Sequence, residues 1–411
     1  MRRLLASPTL RTAVVYGAAG AGFAVANLIL ARVLPTAEYA VVTLVMALLN
    51  IGVYVAPAGL DGVVNRRQLE AGPRLLRQAL VPAVAAGALF ALIAAAAYGV
   101  RPVMAAMTFV SVASGGALIV AAAQFQSEHR FGPSLALLQS TNLVLLLAAV
   151  LTAATGAQDA TLPIYVVMVG TAACAWWGWI ALFTERHAKP HGSAEVPWRE
   201  ALAFLGMQLA GVILIQLERL VLPYLLPLHE LATYGVLAAV AGSLFRVLQM
   251  GVGYTLLPRL RQAPDVRQRR RIVAREARLV TGIAVLGGAG ILAAVPLVER
   301  WFLAGKYDLT PPLVLAMIVS GVAKIANSFT KAAGTAMATP RELSLANLLG
   351  WLTVVIALAG AVIGAEWGLV GVIYGVAVGW GLRALTFGVI TARHLAAGSP
   401  RAEAPRVAEA Q

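Results

Sequence analysis

The chain has 411 residues, of which 60% are hydrophobic and 12% charged, and its formal net charge is +14. Soluble domains average about 45–50% apolar and about 25% charged residues, so this composition excludes an ordinary soluble protein and indicates a chain folded in a lipid bilayer. In a membrane protein a basic excess reflects loop topology first, and we therefore expect no nucleic-acid partner.

Apolar stretches of about 20 residues, the length that crosses the hydrocarbon core, recur along the whole chain. They predict an all-α polytopic membrane protein with about twelve transmembrane helices, and they leave no segment long enough for a folded soluble domain. The predicted spans cover residues 12–33, 40–60, 78–99, 102–123, 134–155, 161–183, 200–222, 234–257, 277–298, 311–335, 342–364 and 367–392.

The basic residues are distributed unevenly between the two ends of the spans. Most of the 32 Lys and Arg residues precede the first span, lie in even-numbered connections or follow the last span. Because cytoplasmic loops carry an excess of Lys and Arg, this asymmetry predicts that both termini are cytoplasmic. The odd-numbered connections and helix ends carry only Arg32, Arg101, Arg219, Arg300 and Lys306.

The most polar inward connections follow the second and the eighth span, six helices apart, which suggests two six-helix halves. Placing Tyr39 on Tyr234, an offset of 195, sets "EYAVVTLVMALL" beside "TYGVLAAVAGSL". We therefore predict an N-terminal bundle over residues 1–183, a cytoplasmic linker over 184–199, a C-terminal bundle over 200–392 and a disordered cytoplasmic tail over 393–411.

Basic residues also lie inside the spans of the second half. A Lys or Arg at a helix centre costs about 2.5–3.5 kcal/mol on insertion scales, so these side chains should face protein or water. The helical period places Asn327 on the charged stripe of span ten and Gln249 on that of span eight. The stripes together predict a cavity lined with positive charge by Arg246, Lys324, Lys331 and Arg383.

Structural roles compete with a binding role for these charges. Lys331 lies about 10 Å below Lys324 at 1.5 Å per residue and can instead extend to the cytoplasmic surface, while the other basic groups can hydrogen-bond to carbonyls at helix ends. We expect no carboxylate at their depth, because Glu218 lies near the outer end of its span, where it suggests a local salt bridge and gating pair with Arg219. An uncompensated cationic cavity calls for an anionic ligand such as a phosphate or diphosphate headgroup.

The first half carries neutral polar groups in place of central charges. Asn50 and Tyr54 share one face of span two with Asp61, and Asn142 lies in span five. Such groups suit sugar hydroxyls, although hydrogen bonding between helices is the commoner role of a single membrane Asn. We assign as polar, sugar-facing groups of the cavity Asn50, Tyr54, Asn142, Gln249 and Asn327.

No cofactor, metal or catalytic site is expected. All five histidines fall in loops or at span ends without ligand spacing, and Cys174 is the only cysteine, which excludes an intramolecular disulfide. The outward connections are short and carry no acid/base constellation, which argues against a membrane enzyme.

Segments from both halves carry a family resemblance: "ARVLPTAEYAVVTLVMALLN" at 31–50, "LERLVLPYLLPLHELATYGVLAAVAGSLFRVLQMGVGYTLLPRL" at 217–260 and "AEWGLVGVIYGVAVGWGLRA" at 365–384. They resemble the first loop, the seventh and eighth helices and the Gly-rich last helices of Wzx-type polysaccharide (O-antigen) flippases, within the multidrug/oligosaccharidyl-lipid/polysaccharide exporter superfamily. The chain departs from that pattern at Glu218, where Asp is expected, and at Pro35-Thr36, which replaces a Gly-Pro order.

The resemblance implies two six-helix bundles around a central cavity that opens alternately to either side of a bacterial inner membrane. It implies translocation of an undecaprenyl-diphosphate-linked oligosaccharide to the periplasmic leaflet for polysaccharide or lipopolysaccharide synthesis. Membrane lipids, a glycan polymerase and chain-length machinery are the implied partners. The diphosphate would then be held by Arg246, Lys324, Arg383 and Lys331.

Three alternatives remain open at this point. A cation-coupled drug exporter of the same superfamily is expected to carry a membrane carboxylate in its first half, where only Asp61 at a boundary is found. A major-facilitator permease is expected to carry Gly-Asp-Arg-Gly-Arg after span two, and "GLDGVVNRR" matches it poorly. A polymerase or ligase of the same glycan pathway is the alternative from a different class.

Overall fold

The computed structural model describes residues 8–69, 71–184, 195–243, 245, 249, 256–257, 259–263 and 265–396. Over these residues the structure contains thirteen α-helices with defined bounds and no β-strand. In the same part of the chain nine segments are long and apolar enough to cross a membrane, the last of which contains two consecutive helices, and two shorter apolar segments accompany them. The prediction of an all-α polytopic membrane fold is confirmed.

The helices of the first half follow the predicted spans, with one short addition. Following the predicted topology, we call the side on which the first helix begins the inner side and the side on which it ends the outer side. The helices are α1 (Pro8–Val33), α2 (Thr36–Val55), α3 (Leu60–Arg67), α4 (Pro73–Leu92, continued by a π-helical turn Ile93–Ala97), α5 (Pro102–Ser127), α6 (Phe131–Thr155) and α7 (Thr161–Thr184).

The described helices of the second half begin at the end of the predicted linker. They are α8 (Trp198–Leu225), α9 (Leu228–Val240), α10 (Val266–Leu297, continued by a π-helical turn Val298–Phe302), α11 (Pro311–Met337), α12 (Pro340–Gly364, followed by a 3₁₀ turn Ala365–Trp367) and α13 (Gly368–Ala396). The predicted linker therefore loses Thr184 to α7 and its last two residues to α8, and the predicted tail loses its first four residues to α13. The rest of the tail lies outside the described residues.

A turn separates α2 from α3 where the sequence predicted one continuous span. α2 ends at Val55. Gly59 adopts φ +80°, a left-handed conformation that glycine tolerates, directly before α3, and Asp61 therefore lies on the new helix α3. The expectation that Asp61 shares one helix face with Asn50 and Tyr54 is therefore wrong. A Cβ at Gly59 would also overlap the Ala201 carbonyl of α8, so only glycine allows this close approach.

The two halves begin their second helices with the same local signal. Pro35 precedes α2 with φ −51° and ψ 147°, and Pro227 precedes α9 with φ −55° and ψ 147°. The helices start at Thr36 and Leu228, which are 228 − 36 = 192 positions apart. This offset is three residues shorter than the offset of 195 taken from the sequence. The difference is close to one helical turn.

The halves meet along α2, which packs on both α8 and α9, with α1 on α9 and α3 on α8 adding to the interface. Within the second half, α13 packs on α11 and α12, while α10 packs chiefly on α11. The α12–α13 contact is backbone to backbone, because a Cβ at Gly360 would lie 2.7 Å from the Gly375 carbonyl oxygen. Small residues that allow such close approach are the usual basis of tight helix pairs in membranes.

Candidate functional site

Lys324 on α11 forms an ion pair with Glu218 on α8. The Lys324 Nζ lies 3.0 Å from the Glu218 Oε1, and the Glu218 side chain is 0% exposed against 17% for Lys324. The expectation that no carboxylate reaches Lys324 is therefore wrong. Counted along their helices at 1.5 Å per residue, Lys324 lies about 20 Å and Glu218 about 10 Å from the outer ends, and the long lysine stem together with the stagger of the helices closes that difference.

Arg219 is held elsewhere, so the expected Glu218–Arg219 gating pair is wrong as well. The Arg219 Nη1 donates to the Gln216 Oε1 at 2.7 Å, and the guanidinium lies over the Tyr234 ring at 5.6 Å. The reason is helical geometry, since consecutive residues on a helix do not face each other.

The surroundings of the ion pair leave several polar atoms unpaired among the described residues. The Glu218 Oε2, the Ser320 Oγ, the Asn327 Oδ1 and the Trp380 Nε1 are all buried without a hydrogen-bond partner there. The Lys324 Nζ lies 5.9 Å from the centre of the Trp380 ring. Buried polar groups are normally satisfied, so these atoms are available to a further hydrogen-bonding partner.

Arg383 on α13 is the most deeply buried basic residue of the site. It is 5% exposed, and neither its Nε nor its Nη1 has a hydrogen-bond partner among the described residues. Its guanidinium lies between three helices, because a Cβ at Gly211 of α8 would be 3.5 Å from the Nη1 and a Cβ at Gly350 of α12 would be 3.7 Å from the Cζ. Two glycines therefore leave room around a buried cation, and a buried cation is costly unless an anion accompanies it.

The other predicted cationic residues are less enclosed or lie outside the described residues. Lys331 is exposed, and its charge lies near enough to Arg383 for the two cations to repel each other. Arg246 is not among the described residues. Its neighbour Phe245 is buried, and a Cβ at Gly321 would overlap the Phe245 ring, so residue 245 packs on α11 one turn from Lys324.

A separate cavity of about 170 Å³ has neutral polar groups within a mainly apolar lining. It brings together the predicted Asn50, Tyr54 and Asn142 from α2 and α6, with the Asn142 Nδ2 donating to the Gln139 Oε1 at 2.9 Å. Ser243 of the second half also lines it, so the cavity lies where the halves meet.

Two predicted sugar-facing residues do not line this cavity, and several residues that line it were missed. Gln249 is half-buried, and Asn327 is buried on the charged face of α11. The sequence argument missed Ser111, Thr141 and Thr171. Single hydroxyls on apolar helices carry no sequence signal, because they usually bond to the carbonyl four residues earlier on their own helix.

The outer ends of the two halves are joined by aromatic and lysine contacts to backbone carbonyls. The Tyr307 hydroxyl and the Lys306 Nζ both donate to the Ala31 carbonyl at 3.0 Å, and Lys306 also bonds to the Leu34 carbonyl. Burial lowers the pKa of the Lys306 ammonium. The Tyr224 hydroxyl donates to the Ala97 carbonyl at 2.7 Å, so α8 is tied to the end of α4.

The inner ends are joined by a small ionic cluster. The Arg66 Nη1 and the Arg67 Nη2 lie 3.0 and 2.7 Å from the two carboxylate oxygens of Glu200, which is in the first turn of α8. Asp61 lies close by, beside Gln208, and burial raises the pKa of the Asp61 carboxyl. The first and second halves are thus in contact at both ends of the spans.

Comparison with known proteins gives likeness in structure alone. No family model and no curated protein matches the sequence. The structure is similar to the lipid II flippase MurJ in an inward closed conformation, with TM-score 0.69 and 10% identity over 94% of this chain and 91% of that one. The likeness is one of fold, which this chain shares with that flippase over nearly its whole length.

Two MATE transporters share this fold. A eukaryotic MATE transporter matches with TM-score 0.62 and 14% identity over 95% of this chain and 98% of that one. The MATE multidrug transporter DinF-BH matches with TM-score 0.61 and 13% identity over 95% and 97%. Because a lipid II flippase and multidrug transporters share this fold, the fold does not identify the substrate of this protein. The substrate must be inferred from the residues of the site.

Proposed function

We propose that this protein is a transporter, not an enzyme, that moves an undecaprenyl-diphosphate-linked oligosaccharide across a bacterial inner membrane by alternating access. The observation that carries the proposal is Arg383, a guanidinium buried among three helices with two donor nitrogens unpaired in the described structure. Such a group is suited to an anion with several oxygens, because guanidinium binds phosphate oxygens in a planar, bidentate manner.

The diphosphate is proposed to contact Arg383, Lys324 and Lys331, with Arg246 included from its sequence position alone. Because Lys324 is paired with Glu218, its ammonium group is not a free cation. It contacts the diphosphate by exchanging the Glu218 carboxylate for a phosphate oxygen. A diphosphate that displaces the Glu218 carboxylate gains a lysine contact and leaves the Glu218 oxygens to other donors. Before the diphosphate binds, the Lys324–Glu218 pair carries no net charge, whereas Arg383 stays a cation that is ready to accept the anion.

The neutral cavity between the halves is proposed to accept sugar. Asn50, Tyr54 and Asn142 present amide and hydroxyl groups to a space that Ser243 joins to the second half. Uncharged groups of this kind bond to sugar hydroxyls without requiring a charged substrate. The outer contacts of Tyr307 and the inner contacts of Glu200 are proposed to open alternately. A glycan polymerase and its chain-length machinery are proposed to use the translocated oligosaccharide.

A cation-coupled multidrug exporter is the second candidate, because the MATE transporters share the fold. It requires a membrane carboxylate free to bind a cation. Glu218 is a fully buried carboxylate, but its Oε1 is already paired with Lys324, and this pairing favours the anionic substrate.

The test is transport of a fluorescent polyprenyl-diphosphate disaccharide by the purified protein in liposomes, with external dithionite reporting the exposed label. We expect flipping by the wild type, loss of at least tenfold in Arg383→Gln, and wild-type rates in Arg393→Gln, an exposed arginine on the same helix. Flipping of the substrate by Arg383→Gln at the wild-type rate would overturn the proposed site. Transport of cationic dyes without any flipping would favour the second candidate.

A further inference from the structure

An apolar groove of about 500 Å³ runs between α10 and α11, away from the cationic site. Small residues on α10 create it, because Ala284 and Gly288 face Ile318, whose Cγ2 would be 3.2 Å from a Cβ at position 288. The groove is completed on α11 by Val322 and Phe329.

The groove lies on the opposite side of α11 from the charged residues. Val322 and Ala326 line it, whereas Lys324, two residues from each, points to Glu218. Two residues turn a helix by about 200°, so α11 separates the groove from the ion pair. An occupant therefore enters from the bilayer and not from the site proposed for the substrate.

The inner end of the groove is strongly basic. Thr281 lines the groove, and Arg278 and Arg271 precede it by three and ten residues on the same face of α10. Both arginines are exposed, and Arg278 bonds only to the Ala274 carbonyl of its own helix among the described residues. Arg270 is different, because its guanidinium donates to the Leu395 carbonyl at the end of α13.

We propose that this groove is a binding site for an anionic phospholipid of the inner leaflet. One acyl chain lies between α10 and α11, and the phosphate and headgroup lie at Arg278 and Arg271. From Ala277 to Leu292 the groove extends about 22 Å along α10, which exceeds the roughly 15 Å of one leaflet's hydrocarbon. Arginines at a membrane surface attract anionic lipids, and this charge selects the headgroup.

The site has a consequence for packing that is independent of the transported substrate. α10 packs chiefly on α11, so a lipid in the groove supplies part of the contact that a protein neighbour supplies elsewhere. The proposed lipid site does not depend on the proposed flippase activity.

The test is native mass spectrometry of the full-length protein, loaded with phosphatidylglycerol or with phosphatidylcholine of the same acyl chains. We expect preferential retention of phosphatidylglycerol by the wild type and roughly tenfold weaker retention by Val322→Trp, which fills the groove. Val319→Trp is the matched control, because Val319 is 41% exposed against 43% for Val322 yet lies outside the groove. Ala289→Trp, an exposed groove position, with Ala293→Trp as its control, repeats the comparison from α10 should Val322→Trp fail to fold.

The headgroup is tested separately. Arg278→Gln is expected to lower the preference for phosphatidylglycerol roughly fivefold, and Arg300→Gln at the outer end is expected to leave it unchanged. Undiminished retention in both groove-filling variants, or equal retention of the two lipids by the wild type, would overturn the proposal. Displacement of bound phosphatidylglycerol by equimolar polyprenyl phosphate would also overturn it, by assigning the groove to a substrate tail.

Discussion

The Lys324 ammonium and the Glu218 carboxylate meet 3.0 Å apart inside the second half of the protein, where Glu218 is completely buried. Neither group is tolerated alone in such a place, because an unpaired buried charge costs several kcal/mol. The pair links α8 and α11, and the second Glu218 oxygen is buried without a hydrogen-bond partner among the described residues.

Removing one partner of this pair should destabilise the protein. Glu218→Gln leaves Lys324 without its counterion, and we expect a loss of about 3–5 kcal/mol, measured as a lower thermal unfolding midpoint in detergent. Glu218→Gln combined with Lys324→Met should recover part of that loss, because the double variant leaves no buried charge. Glu230→Gln at the outer surface is the control. An unchanged midpoint in Glu218→Gln would show that the pair does not hold the helices.

The space beside Arg383 can be reduced without touching the arginine. Gly350→Ala adds a methyl group 3.7 Å from the Arg383 Cζ, an ordinary contact distance, and replacing a helical glycine by alanine is worth up to about 1 kcal/mol of stability. We therefore expect equal or higher thermal stability together with weaker binding of inorganic pyrophosphate, measured by isothermal titration calorimetry. Gly282→Ala, with open space around its Cβ, should bind as the wild type does. Unchanged affinity in Gly350→Ala would place the anion elsewhere.

Loss of the Glu200 carboxylate should make the inner contact between the halves more accessible to solvent without changing the thermal stability of the protein. Arg66 and Arg67 are more than half exposed, and exposed ion pairs contribute only about 0.2–1 kcal/mol. Glu200→Gln should therefore keep the unfolding midpoint within a few degrees, yet raise the labelling rate of a cysteine introduced at Phe204, which packs against Gly62. Equal labelling rates with and without the substitution would show that this cluster does not close the inner side.

Asp61, at the inner contact between the halves, should make the stability of the protein depend on pH. Burial raises the pKa of its carboxyl above the usual 3.8, so the protonated form is favoured in the folded state. Its contribution to stability is complete below pH 3.8 and is lost as pH rises through the raised pKa. Asp61→Asn should remove this pH-dependent part of the unfolding midpoint. A pH profile identical to that of the wild type would contradict the assignment.

The helices could be predicted from the sequence because each apolar run is long enough to span a bilayer and is bounded by turn residues. Pro35, Pro227 and Pro311 begin or precede helices as their restricted φ favours. The break before α3 could not be predicted, because Gly59 is one glycine among 39 and only the contact with Ala201 shows why its left-handed conformation is needed.

The site was harder to predict than the fold. The position of Arg383 on a helix could be predicted, but the room left by Gly211 and Gly350 depends on how three helices pack. The partner of Lys324 was missed because depth counted along a helix ignores stagger between helices and the reach of a lysine stem. Of the neutral residues, Asn50, Tyr54 and Asn142 share one cavity, while Gln249 and Asn327 do not line it.

The backbone contact between α12 and α13 has a mechanical consequence. Gly360 meets Gly375, and Gly364 meets Gly371, so closely that neither helix can slide along the other without a collision of main chains. Arg383 is therefore carried on a stiff pair of helices that moves as one piece, with Gly350 always at its side. Because α13 packs on α11 as well, motion within the second half is left to α8 and α10, and a bound anion would stay with this rigid group of helices while the Glu218 carboxylate on α8 moves relative to it.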